Sequence, residues 1–72
     1  MALKKRSITL KGHRTSITLE PQFWAALEQI AASRKTSLQK LVEAIDVNRQ
    51  NANLSSALRV YVLDQSVNKP GQ

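Results

Sequence analysis

The sequence predicts a mainly α-helical protein with one ribbon strand per chain, completed as an intertwined homodimer and extended by an additional C-terminal helix. Three observations support this prediction. Residues 14–19 alternate in polarity and run directly into a helix start. The segments that follow place apolar residues at helical spacing. A chain of 72 residues also buries too little surface to be comfortably stable alone, so we expect a second copy to complete the core.

The predicted strand has two chemically different faces. Side chains of a strand point alternately to opposite sides, so residues 14–19 separate an apolar face from a face of hydroxyls and one cation. Pro21 is pre-set for the first helical position, and Glu20 lies where an acid can cap or favour the helix N-terminus. The predicted apolar face is Thr15, Ile17 and Leu19, and the polar face is Arg14, Ser16 and Thr18.

The segment before this strand is open to two interpretations. Residues 7–10 and 16–19 share the sequence Ser-Ile-Thr-Leu. Residues 1–13 are therefore either a flexible basic arm or a second strand at 6–10, joined to the first by a two-residue turn at Gly12-His13. If two copies also shared strand 14–19, the ribbon would widen to four strands, too broad for a major groove about 12 Å wide. The hairpin register would pair Ile8 with Ile17, Thr9 with Ser16, Leu10 with Thr15 and Lys11 with Arg14.

Apolar periodicity predicts three helices, over residues 21–34, 38–48 and 54–65. Ser37 is the expected cap of the second helix, and Asn53 or Ser55 that of the third. The apolar residues of the third helix cover more than one stripe, so we expect it to make contacts on two sides. Trp24 is predicted to be a core or interface residue, and Arg59 a paired or snorkelling cation. The predicted units are the arm 1–13, the core 14–48, a linker and third helix 49–66, and a disordered tail 67–72.

A lone strand leaves its backbone hydrogen-bonding groups unpaired and its apolar face uncovered. A second copy related by a two-fold axis would pair with it antiparallel. The predicted dimer core is Thr15, Ile17, Leu19, Phe23, Trp24, Leu27, Ile30, Leu41, Val42 and Ile45.

The distribution of charge indicates the partner. Of the 11 cations, five lie in residues 1–14 without any acid, whereas the rest of the chain holds six cations against five acids. Basic segments of this kind meet polyanions such as nucleic acid or anionic lipid, the simple alternative being a solvated tail.

Other classes of protein find little support in the sequence. No run approaches the ~18 apolar residues of a membrane span, and the absence of cysteine suits a reducing compartment, so we expect a cytoplasmic protein without membrane contact. No nucleophile and base can be paired, so we expect no enzyme activity. His13 is the lone histidine, and we expect neither a metal site nor a cofactor.

The strand, the helix start at Glu20-Pro21 and the start of the second helix at 36–42 together resemble the ribbon-helix-helix repressors, the superfamily of the Arc and methionine repressors. The similarity covers about residues 14–48. The wider run, including Gly12-His13, Phe23-Trp24 and residues 53–59, looks like a bacterial subfamily of small, mostly uncharacterised members.

The resemblance implies a homodimeric regulator, such as a transcriptional repressor, that inserts a two-stranded ribbon into the major groove of double-stranded DNA. It implies base contacts from Arg14, Ser16 and Thr18 and a phosphate at the N-terminus of the second helix. The expected phosphate contacts are Ser37, Leu38, Gln39 and Lys40, with Lys4, Lys5, Arg6 and Lys11 from the basic arm.

Two alternatives keep the fold but change the function. The chain could be an interaction or assembly module that binds DNA weakly or not at all, with a protein partner on the third helix. It could also be an antitoxin whose toxin binds the region after residue 48, in which case a folded third helix in the isolated protein would count against it. A membrane-binding basic arm is a weaker alternative.

Overall fold

The computed structural model describes residues 2–49 and 53–67. The central part of the predicted linker, residues 50–52, and residues 68–72 of the predicted tail lie outside the described residues. Two strands precede three helices, in the order β1 (Lys4–Leu10), β2 (His13–Leu19), α1 (Pro21–Ser33), α2 (Leu38–Asn48) and α3 (Leu54–Val67). The prediction of a mainly helical fold with a ribbon and an additional third helix is confirmed.

β1 and β2 form an antiparallel hairpin within one chain. Residues 4–10 are therefore a strand, and the alternative of a flexible arm is wrong for them. The premise that the strand at 14–19 finds no partner within its own chain is also wrong, because β1 supplies the missing ladder of hydrogen bonds. Each chain contributes two strands rather than one, and the homodimer stays a prediction.

The hairpin turn lies one residue earlier than predicted. Its central residues are Lys11 and Gly12, with φ of 52° and 82°, and Leu10 faces His13. A two-residue turn that matches the twist of the strands needs positive φ at both central positions, and Gly12 supplies it without steric cost at the second. The Lys11 N–H donates to Glu43 Oε2 at 3.3 Å, which ties the turn to α2.

Moving the turn by one residue shifts every cross-strand pair by two, so the predicted register is wrong while every side chain keeps its predicted face. Ile8 faces Thr15 instead of Ile17, and Ser7 faces Ser16. The apolar face survives this shift because the period of a strand is two residues.

Local side-chain hydrogen bonds define the starts of two helices. Ser37 Oγ accepts from the Lys40 N–H at 3.1 Å, which confirms the predicted cap of α2. Asn53 Oδ1 accepts from the Ser56 N–H at 2.8 Å and caps α3.

Glu20 occupies the N-cap position of α1, but its side chain makes no capping bond. It accepts instead from Arg59 Nε of α3 at 2.9 Å. Two alternatives were predicted for Arg59, a paired cation or a snorkelling one, and the structure shows the paired cation. Its guanidinium also lies 5.9 Å from the centre of the Phe23 ring.

All five elements contribute to one core. The inner face of the hairpin provides Ile8, Leu10, Ile17 and Leu19, and the helices cover it. Trp24 is 3% exposed and donates from Nε1 to the Lys4 carbonyl at 2.9 Å, so it is a core residue that also holds the start of β1. Of the other residues predicted for the core, Leu27, Leu41, Val42 and Ile45 are buried, whereas Thr15, Phe23 and Ile30 are partly buried.

The third helix is part of this core rather than an appendage. Leu58 is fully buried and Val62 nearly so. Ser55 Oγ of the same helix donates to the Thr18 carbonyl of β2 at 3.2 Å. The helix therefore contacts the edge of β2 that is not paired with β1.

Leu58→Ala should lower the free energy of unfolding by about 2–5 kcal/mol, because the substitution leaves a cavity in a packed core. The matched control on the same helix is Leu63→Ala, which removes a side chain that is 54% exposed and should change stability by no more than about 0.5 kcal/mol. Urea unfolding of both variants measures the difference. Equal effects would mean that α3 does not share the core.

The Arg59 guanidinium, through its hydrogen bond and its charge, lowers the pKa of the Glu20 carboxyl from its ordinary 4.5. A depressed pKa in the folded state stabilises the protein above pH 4.5, and this contribution disappears as pH falls through the lowered pKa. Glu20→Gln should therefore be less stable than the parent at pH 7, and the gap should close in acid. Urea unfolding across this range tests the claim, and a gap that does not depend on pH would contradict it.

Candidate nucleic-acid interface

The side of the hairpin that faces away from the core is polar throughout. Alternation along the two strands places six side chains there, as three cross-strand pairs. We call these six residues the outer face. They are Lys5 with Thr18, Ser7 with Ser16, and Thr9 with Arg14.

The outer face has hydrogen-bonding groups but no partners of its own. Lys5, Ser7, Arg14 and Ser16 are exposed, and the two threonines are half-buried. Within residues 2–49 and 53–67, none of the six side chains makes a hydrogen bond or an ion pair. Two cations and four hydroxyls are therefore available to a ligand, and the sequence has no acid before Glu20.

Arg6 of the same hairpin differs from Lys5 and Arg14, because its guanidinium already has partners within the chain. It belongs to the opposite face, where Nη1 donates to Glu28 Oε2 at 3.0 Å and the guanidinium lies 5.0 Å from the centre of the Trp24 ring. The structure thus separates Arg6 from Lys5 of the outer face, although both were predicted as phosphate contacts of one basic arm.

The remaining cations of the hairpin lie at its margins. Lys4 faces Leu19 across the ladder, on the side opposite Lys5, and is exposed. Lys11 is exposed in the turn at the far end of the two strands. Both add positive charge around the outer face without belonging to it.

The first turn of α2 forms a separate group. Ser37 caps it, Gln39 and Lys40 are exposed, and Leu38 packs against the core. The positive end of the helix dipole and free N–H groups in such a turn suit a phosphate. The Lys40 N–H already donates to Ser37 Oγ, which leaves the groups before it.

Sequence reasoning missed Ser7 and Thr9 as surface candidates. The signal was present in the repeat of Ser-Ile-Thr-Leu, but these residues reach the same surface as Ser16 and Thr18 only when β1 pairs with β2.

A groove of about 420 Å³ lies between α2 and α3, on a different part of the molecule. Leu41, Ile45 and Tyr61 line it, with Arg34 and Asp64 among its polar residues. Tyr61 Oη is buried and has no hydrogen-bond partner within the part of the chain that the structure describes. Val60, which also lines the groove, is 55% exposed.

Two further kinds of site are missing from residues 2–49 and 53–67. No three His, Cys, Asp or Glu side chains there come together in a way that would hold a metal ion. No helix in these ranges has the length and apolar content needed to cross a membrane.

Comparison with known proteins places this architecture. The family model described as "Ribbon-helix-helix domain" matches residues 3–66. The solved structure of an uncharacterized protein from Bordetella pertussis Tohama I is similar, with a TM-score of 0.79 and 37% identity over 92% of this chain. The chain spans 57% of the length of that protein. A search of curated proteins found no match. The ribbon, the three helices and the match over nearly the whole chain show that this protein belongs to the ribbon-helix-helix domain family.

Proposed function

We propose that this protein is a DNA-binding transcriptional regulator that inserts the outer face of its hairpin into the major groove. The observation that carries the proposal is a surface of two cations and four hydroxyls without intramolecular partners among the described residues, on a chain of net charge +6. Arginine can bond the O6 and N7 of guanine together, and hydroxyls donate to or accept from several bases. Arg14, Ser16 and Thr18 are the proposed base contacts.

Phosphate contacts complete the proposed interface. Lys4 and Lys11 flank the outer face, and the first turn of α2 offers free N–H groups beside Ser37 and Gln39. Arg6 is omitted from this set because Glu28 already neutralises it. We further propose that the protein is a cytoplasmic repressor, which would act by competing with other proteins for DNA. We expect no catalytic activity, because its described residues present no pair of nucleophile and base.

We also propose that the regulator is a homodimer, joined through the groove between α2 and α3. Since β2 is already paired with β1, a second copy is not needed to complete the sheet. The groove offers an apolar surface instead, and its lining includes a cation, Arg34, and an acid, Asp64. A two-fold axis that passes between Arg34 and Asp64 would bring each charge toward its opposite in the second copy.

The two alternatives in function are distinguishable. α3 is folded on its own chain, which counts against the antitoxin alternative. The strand at residues 4–10 and the groove beside α3 are compatible with an interaction module, so DNA binding itself must decide between that module and a regulator.

Arg14→Ala should weaken binding to a preferred duplex by about tenfold or more and binding to random duplex much less, because a bidentate guanine contact contributes about 1–3 kcal/mol of discrimination. The control is Lys35→Asn, which removes an exposed cation elsewhere at a residue of φ 56°, a conformation that asparagine tolerates. It should leave base preference intact. Fluorescence anisotropy with both duplexes measures these affinities. Equal losses on both duplexes for Arg14→Ala would refute specific readout, and no binding at moderate salt would favour the interaction module.

Val60→Glu should dissociate the proposed dimer, because it buries a charge in an apolar groove. Leu63→Glu is the matched control, since Leu63 is equally exposed on the same helix but does not line the groove. Sedimentation equilibrium at micromolar concentration distinguishes monomer from dimer. A parent protein that is monomeric, or a dimer that survives Val60→Glu, would remove this assignment.

A further inference from the structure

The hairpin has an internal pseudo-two-fold axis. Ser-Ile-Thr-Leu occurs at residues 7–10 and again at 16–19, nine residues later. The register sets Ser7 opposite Ser16. A two-fold axis through that antiparallel pair exchanges the strands, so that each residue of β1 is superposed on the residue nine positions further along. The repeat in the sequence thus becomes a symmetry of the surface.

The axis divides the outer face into two matched halves. Each half reads cation, Ser, Thr in the same order along its strand, with Lys5 equivalent to Arg14 and Thr9 equivalent to Thr18. The serine pair lies at the centre. The complete halves are Lys5, Ser7 and Thr9 on β1, and Arg14, Ser16 and Thr18 on β2.

Packing explains the repeat on the inner face but not on the outer one. Ile8 and Ile17 are equivalent by the same axis, and both are buried in the core. Leu10 and Leu19 are equivalent and buried in the same way, whereas the symmetry lapses at the other two inner positions, where Arg6 is equivalent to Thr15 and Lys4 to His13. The outer halves match at all three positions, although none of their side chains bonds to the described part of the protein. A ligand that is itself two-fold symmetric would use such a match.

We propose that one hairpin of one chain is a complete two-fold reading unit, in which Lys5 and Arg14 each contact a guanine on opposite strands of a single major groove. This inference rests on the proposed DNA binding. It reassigns Lys5 from phosphate contact to base contact and adds Ser7 and Thr9 to the reading surface. Lysine and arginine are the side chains that bond guanine O6 and N7 most often.

The dimensions of the hairpin fit this proposal. Two strands about 4.8 Å apart, with their side chains, occupy a major groove about 12 Å wide, whereas two hairpins side by side would exceed it. Lys5 and Arg14 are separated by four residue steps along the strand axis, which is about 14 Å at ~3.4 Å per residue. At a rise of about 3.4 Å per base pair, that distance separates guanines by about four base pairs. The preferred site is therefore a short inverted repeat within one groove.

A binding selection on randomised duplexes with the full chain tests this inference. We expect an enriched inverted repeat with a guanine on each strand about four base pairs apart. Lys5→Ala and Arg14→Ala should each lower the preference for guanine in one half-site by about tenfold and leave the preference for guanine in the other half-site unchanged. Lys5→Arg should keep both preferences. Circular dichroism confirms that each variant is folded.

Lys4→Ala is the matched control, because Lys4 is also exposed and neighbours Lys5 on the opposite face of the ladder. It should weaken binding to all duplexes alike and leave the enriched motif unchanged. If Lys5→Ala behaves like Lys4→Ala, or if the motif has only one guanine-dependent half, the two-fold reading unit is refuted while DNA binding by the outer face stands. If the folded parent selects no duplex at all, the proposed function fails and this inference fails with it.

Discussion

The pairing of β1 with β2 is the interaction on which the rest of the molecule depends. It satisfies the backbone of both strands within one chain and creates a continuous apolar face from Ile8, Leu10, Ile17 and Leu19. The helices can pack only because that face exists. A two-stranded hairpin is marginal by itself in water, so the helices in turn hold the hairpin in place.

Several specific contacts fix the hairpin on the helices. The Trp24 indole binds the Lys4 carbonyl at the start of β1, the Lys11 N–H binds Glu43 at the turn, and Ser55 binds the Thr18 carbonyl near the end of β2. The Arg59–Glu20 pair joins α3 to the start of α1. None of these contacts uses a side chain of the outer face, which leaves those six side chains without internal roles among the described residues.

This division of labour connects the fold to the proposed function. A rigid ribbon whose inner residues are packed can present its outer residues to a ligand with little loss of conformational freedom on binding. The size of the hairpin also suits this function, because two strands of one chain already have the width that a major groove accepts. In this arrangement a second copy is not required to build the ribbon, and the groove between α2 and α3 remains open to it.

The sequence by itself determined the helices, the two faces of the strand and the membership of the fold class. Their signals are local: apolar spacing, the cap at Ser37 and the proline at position 21 act over a few residues and agree with the packing. The polar positions Arg14, Ser16 and Thr18 could be assigned to one face for the same reason.

Only the tertiary structure decided which strand pairs with β2, in what register, and which cations remain free. Pairing within one chain competes with pairing between copies, and local alternation is the same in both. The register depended on positive φ at Lys11 and Gly12, and the removal of Arg6 from the basic surface depended on Glu28 and Trp24, 18 or more residues away in sequence. Contacts between residues so distant in the chain form only when the whole fold assembles, so no local pattern encodes them.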